Sequence, residues 1–267
     1  MKSREMLSYF GLSEVPFGKE IATEALLLLP SVKNNLAAAR LLVETRGIGV
    51  ITGKAGSGKS CLLRLLDEGL PPGLYRTFYL GHSSVGVVEF YTHLSALFGL
   101  EPRMRRAAMF RELQQHILTL AAASHLHPIL FLDEAHLLSN DILTEIRLLT
   151  NFHLDSLNAL TVILCGNETL NRRLGLSILA SLASSITITI SVDTLPLEET
   201  MSYIESRMSA CGQKVPVFTS NAMTLIHQAS GGILRTIGTI ANAALLKASL
   251  AASKQVEAEH VQSVIQR

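Results

Sequence analysis

Residues 53–60 read GKAGSGKS, and few stretches of eight residues restrict a chain as much. The pattern is G-x-x-x-x-G-K-[ST], with Gly53, Gly58, Lys59 and Ser60 at the defining positions. The apolar run before it (IGVI, 48–51) reads as a buried strand, and the run after it (CLLRLL, 61–66) as the start of a helix. A strand, a glycine-rich turn and a helix in that order form a cradle for phosphate. Glycines let backbone N–H groups turn inward, and the new helix adds the positive end of its dipole. The residues expected to hold the phosphates are Gly53, Ala55, Gly56, Ser57, Gly58, Lys59, Ser60 and Cys61. Lys59 is expected to reach the β- and γ-phosphates, and the Ser60 hydroxyl to ligate Mg²⁺. A chance glycine-rich turn would leave the fit of both flanks unexplained.

A second stretch supports the first. Residues 129–134 read ILFLDE, four apolar residues and then two adjacent carboxylates, preceded by Pro128. A short, dense apolar run suits a parallel strand buried on both faces. A buried strand ending in two acids needs a reason, because an unpaired buried charge is expensive. Magnesium supplies one: Asp133 would hold the metal and Glu134 would act as general base on the attacking water. The alternative is a strand end meeting a solvated acidic turn. The letters DEAH (133–136) also occur in a helicase family, but no other helicase motif accompanies them.

The 267 residues suffice for one large α/β domain and a smaller appended one. A formal charge of +1 neither demands nor excludes a nucleic-acid partner, so any basic surface must be local. Cys61, Cys165 and Cys211 lie far apart with no metal spacing; Cys61 and Cys165 fall in expected core elements and read as reduced thiols of a cytoplasmic protein. The first ten residues lack the apolar core of a signal peptide. Residues 174–192 carry no formal charge and approach the length of a membrane span, but their pattern turns to strict alternation at ITITI. A helix followed by a strand explains them better.

Along the chain, an N-terminal arm (1–30) contains YFGLSEVPF at 9–17, and 31–45 is helical in character. Strands are expected at 48–52, 77–80, 129–132, 160–165 and 186–192, with helices at 85–98, 107–124 and 141–151 between them. From 197 onward only helical patterns remain, broken at Gly231-Gly232. Alternating strands and helices imply a parallel sheet covered on both faces. The expected division is an arm (1–30), an α/β nucleotide-binding domain (31–195) and a helical lid (196–267).

Taken in order, these signatures resemble AAA+ ATPases of the ExeA-like group, which includes the short transposition ATPases of the TniB and TnsC type. The resemblance rests on the arm FGLSEVPF (10–17), GKAGSGKS, FLDEAHLLSNDILTEIRLLTNF (131–152), VILCGNETL (162–170) and FTSNAMTLIHQASGGILRTI (218–237). It implies a P-loop AAA+ fold, a parallel five-stranded sheet flanked by helices with a small C-terminal helical lid, and ATP with Mg²⁺ as ligands. Asn167 matches the polar residue that orients the lytic water or senses the γ-phosphate. Arg235, in GGILR, matches the lid arginine that couples nucleotide state to lid angle. The alternatives are a turn residue after Gly166 and a solvated helix arginine. Pro16-Phe17 are expected near the base.

One departure matters. The family places an arginine just before its last strand, and Ser185 occupies that position here. That arginine acts in the neighbouring subunit's site and supplies about 10³–10⁵ in rate. Its absence implies slow hydrolysis or another source, for which Arg172 and Arg173 are the candidates; the alternative is that they are exposed helix residues.

The linker at 102–111 carries Arg103, Arg105, Arg106 and Arg111. Repeated in a ring or filament, it would track the backbone of duplex DNA, with binding that weakens as salt rises. Little aromatic interleaving argues against stacking on single strands. The alternative is a solvated basic turn. The leading expectation is thus an ATPase that hydrolyses ATP slowly, is stimulated by DNA or a partner, and assembles with itself on duplex DNA. It would regulate DNA transposition through a transposase or other mobile-element proteins, in the cytoplasm and without a membrane. One alternative is an ExeA-like secretion or envelope-assembly ATPase; such proteins usually add a membrane anchor and a cell-wall-binding region, and this sequence stops at Arg267. The other is a nucleotide-switched scaffold with negligible hydrolysis.

Overall fold

The computed structural model describes residues 2–18, 29–81 and 85–266; residues 19–28 of the expected arm lie outside them. The chain forms two compact units, one of Asn35–Gly53 with Lys59–Val192, the other of Met1–Asn34, Lys54–Gly58 and Asp193–Arg267.

The first unit is built on a five-stranded sheet of β1 (Ile48–Thr52), β2 (Tyr75–Leu80), β3 (His127–Leu132), β4 (Thr161–Gly166) and β5 (Ile186–Ser191). The order is β2-β3-β4-β1-β5 and every pairing is parallel, as the sequence leads one to expect. Position in the sheet explains composition. The three central strands are buried at every residue and are apolar but for Thr52, His127 and Thr161 at their ends. The edge strand β5 alternates, its isoleucines turned inward and Thr187, Thr189 and Ser191 exposed. Edge strand β2 starts two residues earlier than its side-chain pattern suggests. Tyr75 and Arg76 are held by pairing with His127 and Pro128, which a partly exposed strand does not announce in its sequence.

The helices of this unit are α3 (Lys59–Glu68), α4 (Val87–Leu97), α5 (Arg106–Ala122), α6 (Asn140–Leu149), α7 (Thr169–Leu174) and α8 (Ala180–Ala183), together with most of α2 (Pro30–Thr45). Ser139 caps α6 by accepting from the Ile142 N–H at 3.3 Å. Leu113 and Ile117 of α5 and Ile142 and Ile146 of α6 join Leu130, Leu132, Val162 and Leu164 in one core. Each such burial stabilises by about 1.5–3 kcal/mol. Phe78 stacks on Phe98 with ring centroids 3.8 Å apart. Residues 174–192 form the end of α7, a 3-10 turn, α8 and β5. Among the described residues no helix is long and apolar enough to cross a membrane.

The second unit holds α1 (Lys2–Phe10), α9 (Leu197–Ala210), α10 (Ser220–Ser230), α11 (Leu234–Leu250) and α12 (Ala258–Ile265). The arm packs here. The Phe17 ring lies 5.9 Å from Tyr203 and 6.3 Å from Phe218, and the buried Arg207 donates to the Pro16 carbonyl at 2.7 Å. That bond gives the guanidinium, at 1 % exposure, an acceptor for its Nε–H. Helix α10 ends at Gly231 in the left-handed region. At Gly232 a Cβ would sit 2.2 Å from the Leu195 carbonyl oxygen, so only glycine lets that segment approach.

Candidate nucleotide site

In the α/β unit the strands end level with one another. Leu80 pairs with Leu132, Leu132 with Leu164, and Thr52 with Gly166. The segments leaving these carboxyl ends carry the conspicuous residues, which is where open parallel sheets bind ligands. Beyond β1, Lys59 is 9 % exposed and its ammonium donates to the Gly53 carbonyl at 2.9 Å. Ser60 follows in the first turn of α3, and its hydroxyl lies 3.3 Å from Asp133 Oδ2. Beyond β3, Asp133 is 6 % exposed and accepts the Glu134 N–H at 2.9 Å through its other oxygen. Glu134 takes φ 52, a left-handed conformation uncommon away from glycine, where the strand turns into a 3-10 helix. Its side chain is half-exposed, with Oε2 3.3 Å from His136 Nδ1 but without the alignment of a hydrogen bond.

Asp133 has two neighbours that local motifs do not reveal. The Tyr79 hydroxyl, near the end of β2, donates to Asp133 Oδ2 at 2.9 Å. Burial pushes the Tyr79 phenol well above its ordinary range, and the hydrogen bond to Asp133 adds to the shift. Burial likewise pushes the Cys165 thiol up, with the Asp133 charge beside it contributing in the same sense. The buried carboxylate thus confronts groups that keep their protons. The signal for both residues lies in the parallel register, which sets the ends of β2 and β4 beside the end of β3. Cys165 is fully buried as expected, whereas Cys61 is only partly buried.

Asn167 follows β4, and its Oδ1 accepts the backbone N–H of Thr169 at 2.9 Å and the Thr169 hydroxyl. The oxygen therefore closes the turn that leads into α7, and the amino group is the donor end of the side chain. Nearby, Asn171 donates to the Thr52 hydroxyl at 2.9 Å.

In the helical unit, residues 54–58 form the turn of the phosphate loop, closed by Ser57 N–H to the Lys54 carbonyl at 3.1 Å. The Arg235 N–H donates to the Gly56 carbonyl at 3.0 Å, and the Arg235 side chain is exposed. Gly56 has φ 81, and a Cβ there would stand 2.9 Å from Arg235 Cβ, so the turn closes on α11 only without a side chain.

Two observations test whether phosphate and a hard cation suit these residues. Ser57 is 5 % exposed and its hydroxyl has no partner among the described residues, an orphaned donor inside the phosphate loop. The Ser60 hydroxyl and Asp133 carboxylate form a compact set of oxygens, the donor type that Mg²⁺ selects. Both fit.

The trans-acting candidates separate. Arg173 donates to the His136 carbonyl and to Asn140 Oδ1, each at 2.7 Å, tying the segment after Glu134 to the start of α6. Arg172 is exposed and has no such partner among the described residues. Ser185 donates to the Ser181 carbonyl at 2.8 Å, just after α8. The linker arginines separate too. Arg103 Nε lies 3.0 Å from Glu112, and Arg106 donates to Glu145, which is 6 % exposed and also accepts the Tyr91 hydroxyl at 2.9 Å. Arg105 precedes α5, exposed and without a side-chain partner among the described residues. Arg111 donates to the Ala107 carbonyl at 3.3 Å on its own helix.

A glycine-rich loop between a central strand and a helix, with a carboxylate pair on the next strand but one, defines a P-loop nucleotide-binding protein. The chain belongs to the AAA domain family, whose pattern matches residues 41–174. Over 254 residues, 93% of this chain, it is 30% identical to general secretion pathway protein A of Aeromonas hydrophila. It spans only 46% of that protein's length. Among solved structures it is similar to Cdc6p from Pyrobaculum aerophilum, with a TM-score of 0.69 and 18% identity over 96% of this chain and 69% of that one. Drosophila ORC bound to DNA gives 0.66 and 18%, covering 98% and 65%. The RuvB Holliday junction branch migration motor of Thermotoga maritima gives 0.59 and 16%, covering 88% and 67%. At these identities the structures establish the AAA+ fold.

Proposed function

We propose that the chain is an ATPase whose nucleotide state governs its assembly with copies of itself. The observation that supports this reading is the Ser60 hydroxyl, at the start of α3, 3.3 Å from Asp133 Oδ2, with Glu134 next in sequence after β3. Lys59 would meet the β- and γ-phosphates. Ser60 and Asp133 would hold Mg²⁺, which neutralises charge building on the phosphoryl oxygens. Glu134, which is half-exposed, would orient a water and take its proton. The family resemblance gives Asn167 and Arg235 the further role of sensing the γ-phosphate, which each would do through an N–H donor. With Ser185 where the family keeps its trans-acting arginine, hydrolysis is slow unless Arg172 of a neighbouring copy supplies the charge; Arg173 is engaged within its own chain.

Two readings of the partner follow. In the first, the assembly forms on duplex DNA and presents itself to a transposase or another mobile-element protein, as the resemblance to TniB- and TnsC-type ATPases implies. Arg105 is then the foremost phosphate contact of the linker, since Arg103 and Arg106 already face carboxylates. In the second, the ATPase serves an envelope or secretion assembly, a reading favoured by the 30% identity to general secretion pathway protein A. Sedimentation with duplex DNA or anionic vesicles, in ATP, ADP and a non-hydrolysable ATP analogue, separates them. Large DNA-bound assemblies in ATP or the analogue alone support the first. Co-sedimentation with vesicles and none with DNA supports the second. A chain that remains monomeric in every state refutes nucleotide-governed assembly.

A further inference from the structure

At the opposite ends of the strands the α/β unit contains a cavity of about 260 Å³, lined by Arg46, Leu74, Tyr75, Ala121, His125 and His127. We propose that this cavity binds a small oxyanion, a phosphate or carboxylate group, between the Arg46 guanidinium and the Nδ1–H of His127. The site is separate from the nucleotide loop: Asp133 lies six positions along the chain from His127, about 20 Å at roughly 3.3 Å per residue.

His127 carries the inference. It is 4 % exposed, and its Nδ1 is a buried nitrogen without a partner among the described residues. Its Nε2 lies 2.7 Å from the hydroxyl of Thr161, which is fully buried at the start of β4. A buried hydroxyl needs an acceptor for its proton, and Nε2 is the acceptor beside it. The ring proton of a neutral imidazole then sits on Nδ1. Burial, with Arg46 adding to it, holds the His127 pKa down at about 4, so the ring is neutral at physiological pH and offers a donor rather than a charge. The positive charge comes from Arg46, which is exposed and makes no ion pair among the described residues. Leu74 and Ala121 form apolar walls, and Tyr75 meets the His127 ring edge-on at 6.3 Å, fixing its plane. A guanidinium and a neutral N–H donor in a small half-apolar cavity match an oxyanion; a metal would find Arg46 repulsive, and an apolar ligand would leave Nδ1 orphaned.

The test is histidine-detected ¹⁵N NMR of the full chain, titrated with inorganic phosphate and separately with succinate. The free protein should show His127 as the Nδ1–H tautomer. Its Nδ1 signal should then shift saturably with at least one anion, phosphate marking a phosphate ligand and succinate a carboxylate one. The shift should persist in Lys59→Ala, which disables the P-loop, and weaken about ten-fold or more in Arg46→Gly. Glycine suits the φ of 59 at Arg46, so that variant keeps its fold. No shift with either anion overturns the proposal. So does a shift that survives Arg46→Gly, or one lost in Lys59→Ala, which would trace the response to the nucleotide loop.

Discussion

Replacing Arg106 by alanine separates a structural arginine from a nucleic-acid contact. Arg106 is one of four linker arginines that the sequence offers to DNA, yet its guanidinium meets Glu145, a carboxylate whose side chain is 8 % exposed. Arg106→Ala leaves that carboxylate with the Tyr91 hydroxyl and little water. Breaking a buried pair costs about 3–5 kcal/mol and an exposed one about 0.2–1 kcal/mol. The Arg106 side chain is 48 % exposed, so the loss falls between, near 2 kcal/mol. At about 2–4 °C per kcal/mol for a chain of this size, Tm should drop by roughly 4–8 °C. Arg105→Ala should cost no more than about 0.5 kcal/mol. Adding Glu145→Gln to Arg106→Ala removes the stranded charge and should recover part of the loss. Thermal and urea unfolding of the four proteins provide the assay. If Arg106→Ala and Arg105→Ala melt together, or if Glu145→Gln makes matters worse, the buried-carboxylate account is wrong.

Three further perturbations are as direct. Gly56→Ala places a Cβ at φ 81 and 2.9 Å from Arg235 Cβ, so calorimetry should show a loss of about 1–3 kcal/mol, and an unchanged Tm would contradict the close approach. Tyr79→Phe removes a donor to Asp133; the Mg²⁺ concentration for half-maximal turnover should move by up to about ten-fold at nearly constant Tm, and an unmoved Mg²⁺ dependence would leave Tyr79 no role in positioning that carboxylate. His127 has a folded pKa of about 4 against 6.5 unfolded, so below 6.5 the unfolded chain takes up a proton that the folded chain refuses. Its contribution is lost as pH falls through that window, about 2 kcal/mol between pH 7 and 5, and urea melts of His127→Phe should show a pH slope flatter by that amount.

What the sequence discloses follows from how local each feature is. The strands β1, β3 and β4 are legible because burial on both faces writes a dense apolar run through their middles, and β5 because an edge position writes an alternation. The start of β2 is not, because Tyr75 and Arg76 are held by backbone pairing and bear no pattern. The phosphate loop and the Asp133-Glu134 pair sit within single short segments, so spacing alone discloses them. Tyr79 and Cys165 reach Asp133 across strand register, over 54 and 32 positions of sequence, where spacing carries no information. The linker arginines show the converse: their charge is plain in the sequence, but the carboxylates that face Arg103 and Arg106 are brought by helix packing.

The central claim is that the phosphate loop, Asp133 and Glu134 together make an ATPase site. Single-turnover hydrolysis by wild type, Lys59→Ala and Glu134→Gln, with nucleotide binding measured in parallel, tests it most directly. The account predicts that Lys59→Ala loses ATP binding, whereas Glu134→Gln binds ATP as tightly as wild type, holds it longer and hydrolyses it at least about 10²-fold more slowly. Wild-type turnover by Glu134→Gln, or undiminished ATP binding by Lys59→Ala, would contradict it.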